Sequence, residues 1–119
     1  MLLNEDQQMI RDAVRSFVQA QITPHAARWD KEHHFPKDVH QGLAALGCYG
    51  ICVPEQYGGA GLDSLSLAVV LEEIAAGDGG TSTVISVTNC PVNAILMRYG
   101  SEAQKQLKRG AISAVIRVR

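Results

Sequence analysis

Glycine and proline stand at the ends of the apolar stretches of this chain, and that placement constrains it to short helices joined by tight turns. Pro24, Pro36, Gly47, the run Gly58-Gly59-Ala60-Gly61, Gly77 and Gly100 bound segments of helical length. Proline suits a first helical turn, and glycine the left-handed residue just past a helix end. In the first segment Met9, Ile10, Ala13, Val14, Phe17, Val18 and Ile22 recur at the spacing of one helical face. Asn4 is placed to cap that helix, with Gln7 as the reciprocal capping side chain. Thr23-Pro24 interrupts the helix or restarts it, and His25 to Glu32 continues helical with Trp29 as its apolar anchor.

The same reading extends along the chain. Pro36 opens a helix whose Val39, Leu43 and Leu46 share a face, and Gly47 stops it. Cys48 to Pro54 is short, apolar and ends at a proline, which predicts a buried extended connector. Asp63 caps a third helix through Leu67, Val70, Leu71, Ile74 and Ala75, closed by Gly77. Asp78-Gly79-Gly80 reads as a turn. Residues 81–99 read as two helical pieces around Cys90-Pro91, although Thr83 to Thr88 is β-branched enough for a strand. Ser101 with Gln104 forms a second capping box. The expected fold is all-α, its helices packed by their apolar faces.

Composition narrows the function classes. The 119 residues fit one domain, and eleven basic against twelve acidic residues form no block of like charge. Nucleic acid and anionic membranes are therefore not expected partners, and no apolar run is long enough for a membrane span. Cys48, Cys52 and Cys90 are an odd set without a C-x-x-C pair, which favours reduced thiols. The polar, acidic start resembles neither a signal nor a transit peptide, so a cytoplasmic setting is expected.

The residues that carry chemistry elsewhere have plainer readings here. Tyr57 to Gly61 lacks the dinucleotide spacing and no Gly-Lys-Ser/Thr follows it, so it reads as a tight turn before a capped helix. His25, His33, His34 and His40 lack metal-site spacing and read as solvated surface residues, and no metal is expected. Cys48 and Cys52 read as small buried thiols. Glu72-Glu73 has no partner carboxylate in sequence and reads as surface charge.

A resemblance adds what these residues alone do not. Val53-Pro54-Glu55-Gln56-Tyr57-Gly58-Gly59-Ala60-Gly61-Leu62-Asp63 resembles the V-P-E-x-Y-G-G-x-G-L-D element of the acyl-CoA dehydrogenases. Glu5 to Asp12, Ile22 to Ala26, Phe35-Pro36, Leu46-Gly47, Leu71 to Ala75 and Tyr99 to Lys105 fall in the order and spacing of that family. The resemblance covers roughly residues 3–106 and implies the family's amino-terminal helical domain over 1–106. The tail, 107–119, departs from the family pattern; its alternating Ile112, Ala114, Ile116 and Val118 predict a strand.

The resemblance also carries expectations about function. The parent enzyme would be an FAD-dependent flavoprotein of fatty acid metabolism that converts an acyl-CoA thioester to its trans-2-enoyl form. It would pass electrons to an electron-transfer flavoprotein and assemble as a homo-oligomer, usually a tetramer. In such enzymes the catalytic base and most of the FAD site belong to later domains. This chain alone is accordingly expected to bind no cofactor, to hold no catalytic residue and to be inactive. What the first domain contributes is part of the wall of the acyl-chain pocket, which alignment to Gly100 places at Thr83, Val87, Thr88 and Pro91. Acyl-CoA oxidases and flavin monooxygenases share this first domain and are the alternative parents. A stand-alone helical interaction module is the alternative from outside the enzymes.

Overall fold

The computed structural model describes residues 2–107. In order they form α1 (Glu5–Gln21), α2 (Ala26–Glu32), α3 (Lys37–Ala45), two single 3-10 turns (Cys48–Gly50 and Glu55–Tyr57), α4 (Ser64–Gly77), α5 (Gly79–Val87), a π-turn (Thr88–Asn93) and α6 (Ala94–Tyr99). Residues 102–107 are helical again. No strand occurs among the described residues, as the all-α reading requires. The strand expected near Ile112 to Val118 lies outside them.

The caps form where the sequence puts them. Asn4 Oδ1 accepts from Gln7 N at 2.8 Å, and Gln7 Oε1 accepts from Asn4 N at 3.0 Å, closing the capping box of α1. Gln7 is itself buried, and its amide donates across to Asp63, the N-cap of α4, at 3.2 Å. The starts of α1 and α4 are thereby tied together. Hydrogen bonds from Ser66 hold the Asp63 carboxyl below the usual carboxylate range, which keeps the cap charged. Gly47 ends α3 at φ +82°, and Gly58 ends the second 3-10 turn at φ +83°.

Packing follows the apolar faces. Val14 and Val18 of α1 and Ile22 just past its end join Leu67, Val70 and Ile74 of α4, and Trp29, Val39, Leu43, Cys48, Ile51 and Ile85 complete one core. Met9 and Ala13, read as part of the α1 face, lie outside it and are exposed. The helices approach closely at Gly77, where a Cβ would stand 2.4 Å from a methyl of Val18. Glu73 is less solvated than its sequence setting implied. It receives a bidentate pair of bonds from Arg15, at 2.6 and 2.9 Å, which clamps α1 to α4. Glu72 is exposed, as expected.

Two local expectations fail in this region for identifiable reasons. The connector from Cys48 to Pro54 is coiled rather than extended: Gly50 N bonds Gly47 O, and Val53 N bonds Gly50 O, both at 3.2 Å. No neighbouring strand pairs with it, so its backbone is satisfied by turns, by the glycine loop folding back (Ala60 N to Gly50 O, Leu62 N to Ile51 O, each 2.8 Å) and by a side chain described below. Asp78-Gly79-Gly80 is not a free turn, because Asp78 Oδ2 accepts from Thr81 N at 2.7 Å and starts α5 at Gly79. The helical reading of residues 81–99 holds: Thr83 to Thr88 is helical despite its β-branched composition, since Ile85 is drawn into the core.

His40 is a further correction. His25, His33 and His34 are at least partly exposed, but His40 is only 4% exposed. Its ring stacks on Phe35 at 4.3 Å, and its Nδ1 lies 2.7 Å from the Tyr49 hydroxyl. Burial lowers the His40 pKa below its ordinary value, and the charge of Asp78 opposes the shift. The unfolded chain then binds a proton that the native state resists. The stability held by neutral His40 is full above about pH 6.5 and drains away as pH falls through the depressed native value. Urea unfolding of the protein is expected to show a lower midpoint at pH 5 than at pH 7. The substitution His40→Phe should be less stable at pH 7 but less dependent on pH between these points.

Candidate functional site

The face that stands out is the outer side of the continuous helical arm from Gly79 to Tyr99. Its inner side is set by Ser82, Ile85, Asn89 and Asn93, all buried and spaced three or four apart. Ser82 donates to Leu71 O of α4 at 3.1 Å. Asn89 does more than any other side chain to place the arm. Its Oδ1 accepts from Ile51 N at 2.9 Å, and its Nδ2 donates to Cys48 O at 2.8 Å and to Ile85 O at 2.9 Å. Asn93 Nδ2 donates to Tyr49 O at 2.9 Å, while its Oδ1 is buried without a partner. The two asparagines thus fasten the arm to the Cys48 connector. Nothing in the sequence marked them except polar residues four apart in an apolar stretch.

Pro91 explains the shape of the arm at its centre. It has no N–H to donate, and the helix widens there into the π-turn over Thr88–Asn93 before α6 resumes. The turn carries the outer face past Pro91 without a break in the arm.

The outer face is apolar. Val87 is 51% exposed, Ile95 59% and Tyr99 74%, with Val84, Pro91 and Val92 also exposed between them. Thr83 is exposed and Thr88 half-buried. Their hydroxyls bond back to the carbonyls four residues earlier, Gly79 O and Val84 O, each at 2.9 Å. Thr83, Val87, Thr88 and Pro91 therefore share one stretch of the arm, with both hydroxyls already engaged. The cation on this face, Arg98, lies over the Tyr99 ring at 5.5 Å. The side chains of Val84, Val87, Pro91, Val92 and Ile95 offer no hydrogen bond. Such a surface fits an alkyl chain or a packed neighbour.

Elsewhere the candidates stay structural. Among the described residues no three His, Cys, Asp or Glu side chains converge as metal ligands. Tyr57 of the glycine loop is engaged by residues of its own chain. Tyr57 is buried and its hydroxyl donates to Glu102 at 2.7 Å, which raises its pKa, while Lys105 lies over its ring at 5.8 Å. The loop is thus clasped to helical residues 102–107. Cys48 is fully buried and its pKa is pushed up to about 12 by burial, so it is an inert thiol. Cys52, read as a second buried thiol, is exposed instead, because the coiled connector turns it outward beside buried Ile51 and Val53. No helix of the described residues is long and apolar enough to cross a membrane.

Comparison with known proteins agrees with this geometry. A family model described as acyl-CoA dehydrogenase, N-terminal domain, matches residues 4–108. The mitochondrial short-chain specific acyl-CoA dehydrogenase of Rattus norvegicus is 39% identical over 104 residues, covering 87% of this chain and 25% of that protein. A chain solved in work on the electron transferring flavoprotein of Acidaminococcus fermentans superposes with a TM-score of 0.90 at 34% identity, over 99% of this chain and 31% of its own. Butyryl-CoA dehydrogenase from Megasphaera elsdenii superposes with a TM-score of 0.83 at 27% identity, over 98% of this chain and 30% of its own. The chain spans about a quarter to a third of the length of these proteins. Ordered motifs, helical topology and family match coincide over the same residues, and the chain belongs to the acyl-CoA dehydrogenase family as its N-terminal domain.

Proposed function

We propose that this domain forms part of the wall of an acyl-chain pocket in an enzyme that dehydrogenates a short acyl-CoA thioester to its trans-2-enoyl form. FAD is the hydride acceptor in that reading, and an electron-transfer flavoprotein reoxidises it. The observation that carries the proposal is the outer face of the arm, apolar from Val84 to Tyr99 and held in place by Asn89. Val87 and Pro91 supply the aliphatic surface, and Thr83 and Thr88 flank them. The role of these residues is to limit chain length. An apolar wall discriminates by size, with one methylene changing transition-state binding by ~1–3 kcal/mol. None of them moves a proton or an electron. The base that takes the α proton and the groups that hold FAD belong to other parts of the whole enzyme.

A chimera tests this. Residues 4–108 replace the matching segment of the rat short-chain enzyme, and flavin content and reduction by butyryl-CoA are measured. The chimera is expected to bind flavin and to be reduced. Val87→Trp in it should lower kcat/KM for six-carbon acyl-CoA about tenfold or more relative to four-carbon acyl-CoA, the size of a methylene-scale steric term. Equal losses for both chain lengths would remove Val87 from the pocket wall.

A further inference from the structure

The connector and the π-turn are joined by Asn89, and each carries an exposed cysteine next to that join. Cys52 directly follows Ile51, whose N–H bonds to Asn89 Oδ1 at 2.9 Å, and Cys90 directly follows Asn89. A second bond, Asn89 Nδ2 to Cys48 O at 2.8 Å, keeps the two segments from sliding past each other. Both thiols are exposed, whereas the third, Cys48, is sealed in the core with no exposed surface. We propose that Cys52 and Cys90 are a redox-sensitive thiol pair that a hydroperoxide closes to an intramolecular disulfide.

The chemistry needs two thiols within side-chain reach and one two-electron oxidant. Cys90, exposed on the π-turn, attacks the peroxide oxygen as thiolate, giving a sulfenic acid and one molecule of alcohol or water. Cys52 then attacks that sulfur, forming the S–S bond and releasing water. Two thiols lose two electrons and two protons, and the peroxide accepts both. The order follows from surroundings. Partial burial and the negative charge of Asp63 hold Cys52 in its thiol form, and Cys90 adds to the same effect, so the two sulfurs lie within electrostatic range of each other. The Cys90 sulfur lies 4.0 Å from the Ser86 hydroxyl, a contact too weak to hold it away from Cys52. Cys48 cannot compete, because burial keeps it protonated.

Closure has a mechanical consequence. The disulfide would span residues 52 to 90 and pin the π-turn, whose next residue, Pro91, lies on the apolar outer face. Loop closure of that length stabilises by restricting the unfolded chain, and oxidation should raise the thermal midpoint.

The full 119-residue chain is treated with hydrogen peroxide, the remaining thiols are alkylated, and peptides are mapped by mass spectrometry without reduction. The expected product is a monomer carrying a Cys52–Cys90 crosslink and an alkylated Cys48 only after unfolding. Its thermal midpoint should exceed that of the reduced protein, and dithiothreitol should reverse both changes. Cys52→Ser should instead accumulate a sulfenic acid at Cys90, trapped by dimedone, with the fold unchanged by circular dichroism. Separate alkylation or overoxidation of Cys52 and Cys90 with no crosslink overturns the proposal. So does a disulfide found only between two chains.

Discussion

Gly59→Ala is expected to lose a large share of the stability of the domain, while Gly79→Ala leaves it unchanged or slightly raised. A Cβ on Gly59 would stand 2.0 Å from the Val53 carbonyl oxygen and 2.4 Å from the Val53 Cβ. Neither neighbour can yield cheaply. Val53 is 1% exposed, and the same carbonyl accepts from Gly61 N at 2.9 Å, so moving it breaks a bond that closes the loop onto the connector. Overpacking a well-filled core costs ~1–3 kcal/mol, and a clash with fixed backbone lies at the upper end or beyond. Against a total of ~5–15 kcal/mol, a loss of about 3 kcal/mol or more is a large share, and the thermal midpoint should fall by roughly 10 °C. At Gly79 a Cβ meets nothing within 4 Å. There alanine removes unfolded-state freedom and favours the first turn of α5, for a gain of at most ~1 kcal/mol. Two similar melting curves for the pair would mean that the loop does not pack against Val53 as described.

That contrast shows what a sequence can and cannot disclose. The glycines read as one class of turn former, and for Gly47 and Gly58 that reading suffices, since each ends a helical turn at positive φ. Gly59 is required for a different reason, an approach of two backbones, which depends on a partner six residues away folding back. Caps were legible because both partners lie within three residues, as with Asn4 and Gln7 or Ser101 and Gln104. Family membership was legible for a similar reason, because several short motifs stood in order. His40 was not, since one polar residue beside Val39 gives no sign that Phe35 and Tyr49 will enclose it. Thr83, Val87 and Pro91 could be placed on one arm by spacing and resemblance. That Thr83 and Thr88 spend their hydroxyls on their own helix emerged only from the structure.

Asn89 gives the other large effect, and the one that bears on the proposed site. Asn89→Ala is expected to destabilise the domain by about 2–5 kcal/mol, since each of the two buried groups left without a partner costs ~1–3 kcal/mol. The orphans would be Ile51 N–H and the Cys48 carbonyl, on residues that are themselves 0% exposed, while the Ile85 carbonyl keeps its bond from Thr88 N. Asn89→Asp separates the contributions. It keeps an acceptor for Ile51 N–H but turns a carboxylate oxygen toward the two carbonyls, so it should be no more stable than the alanine variant. Asn93→Ala supplies the scale: it removes a single bond, to Tyr49 O, and also an oxygen that already lacks a partner, so its cost should be nearer 1 kcal/mol. Urea unfolding of the three variants against the parent sequence measures the order. If Asn93→Ala proves as damaging as Asn89→Ala, the arm is held by packing of Ile85 rather than by hydrogen bonds to the connector. If the expected order holds, the π-turn owes its position to one side chain on its inner side. The apolar outer face carried by Val87 and Pro91 is then set from within the domain, before anything packs against it.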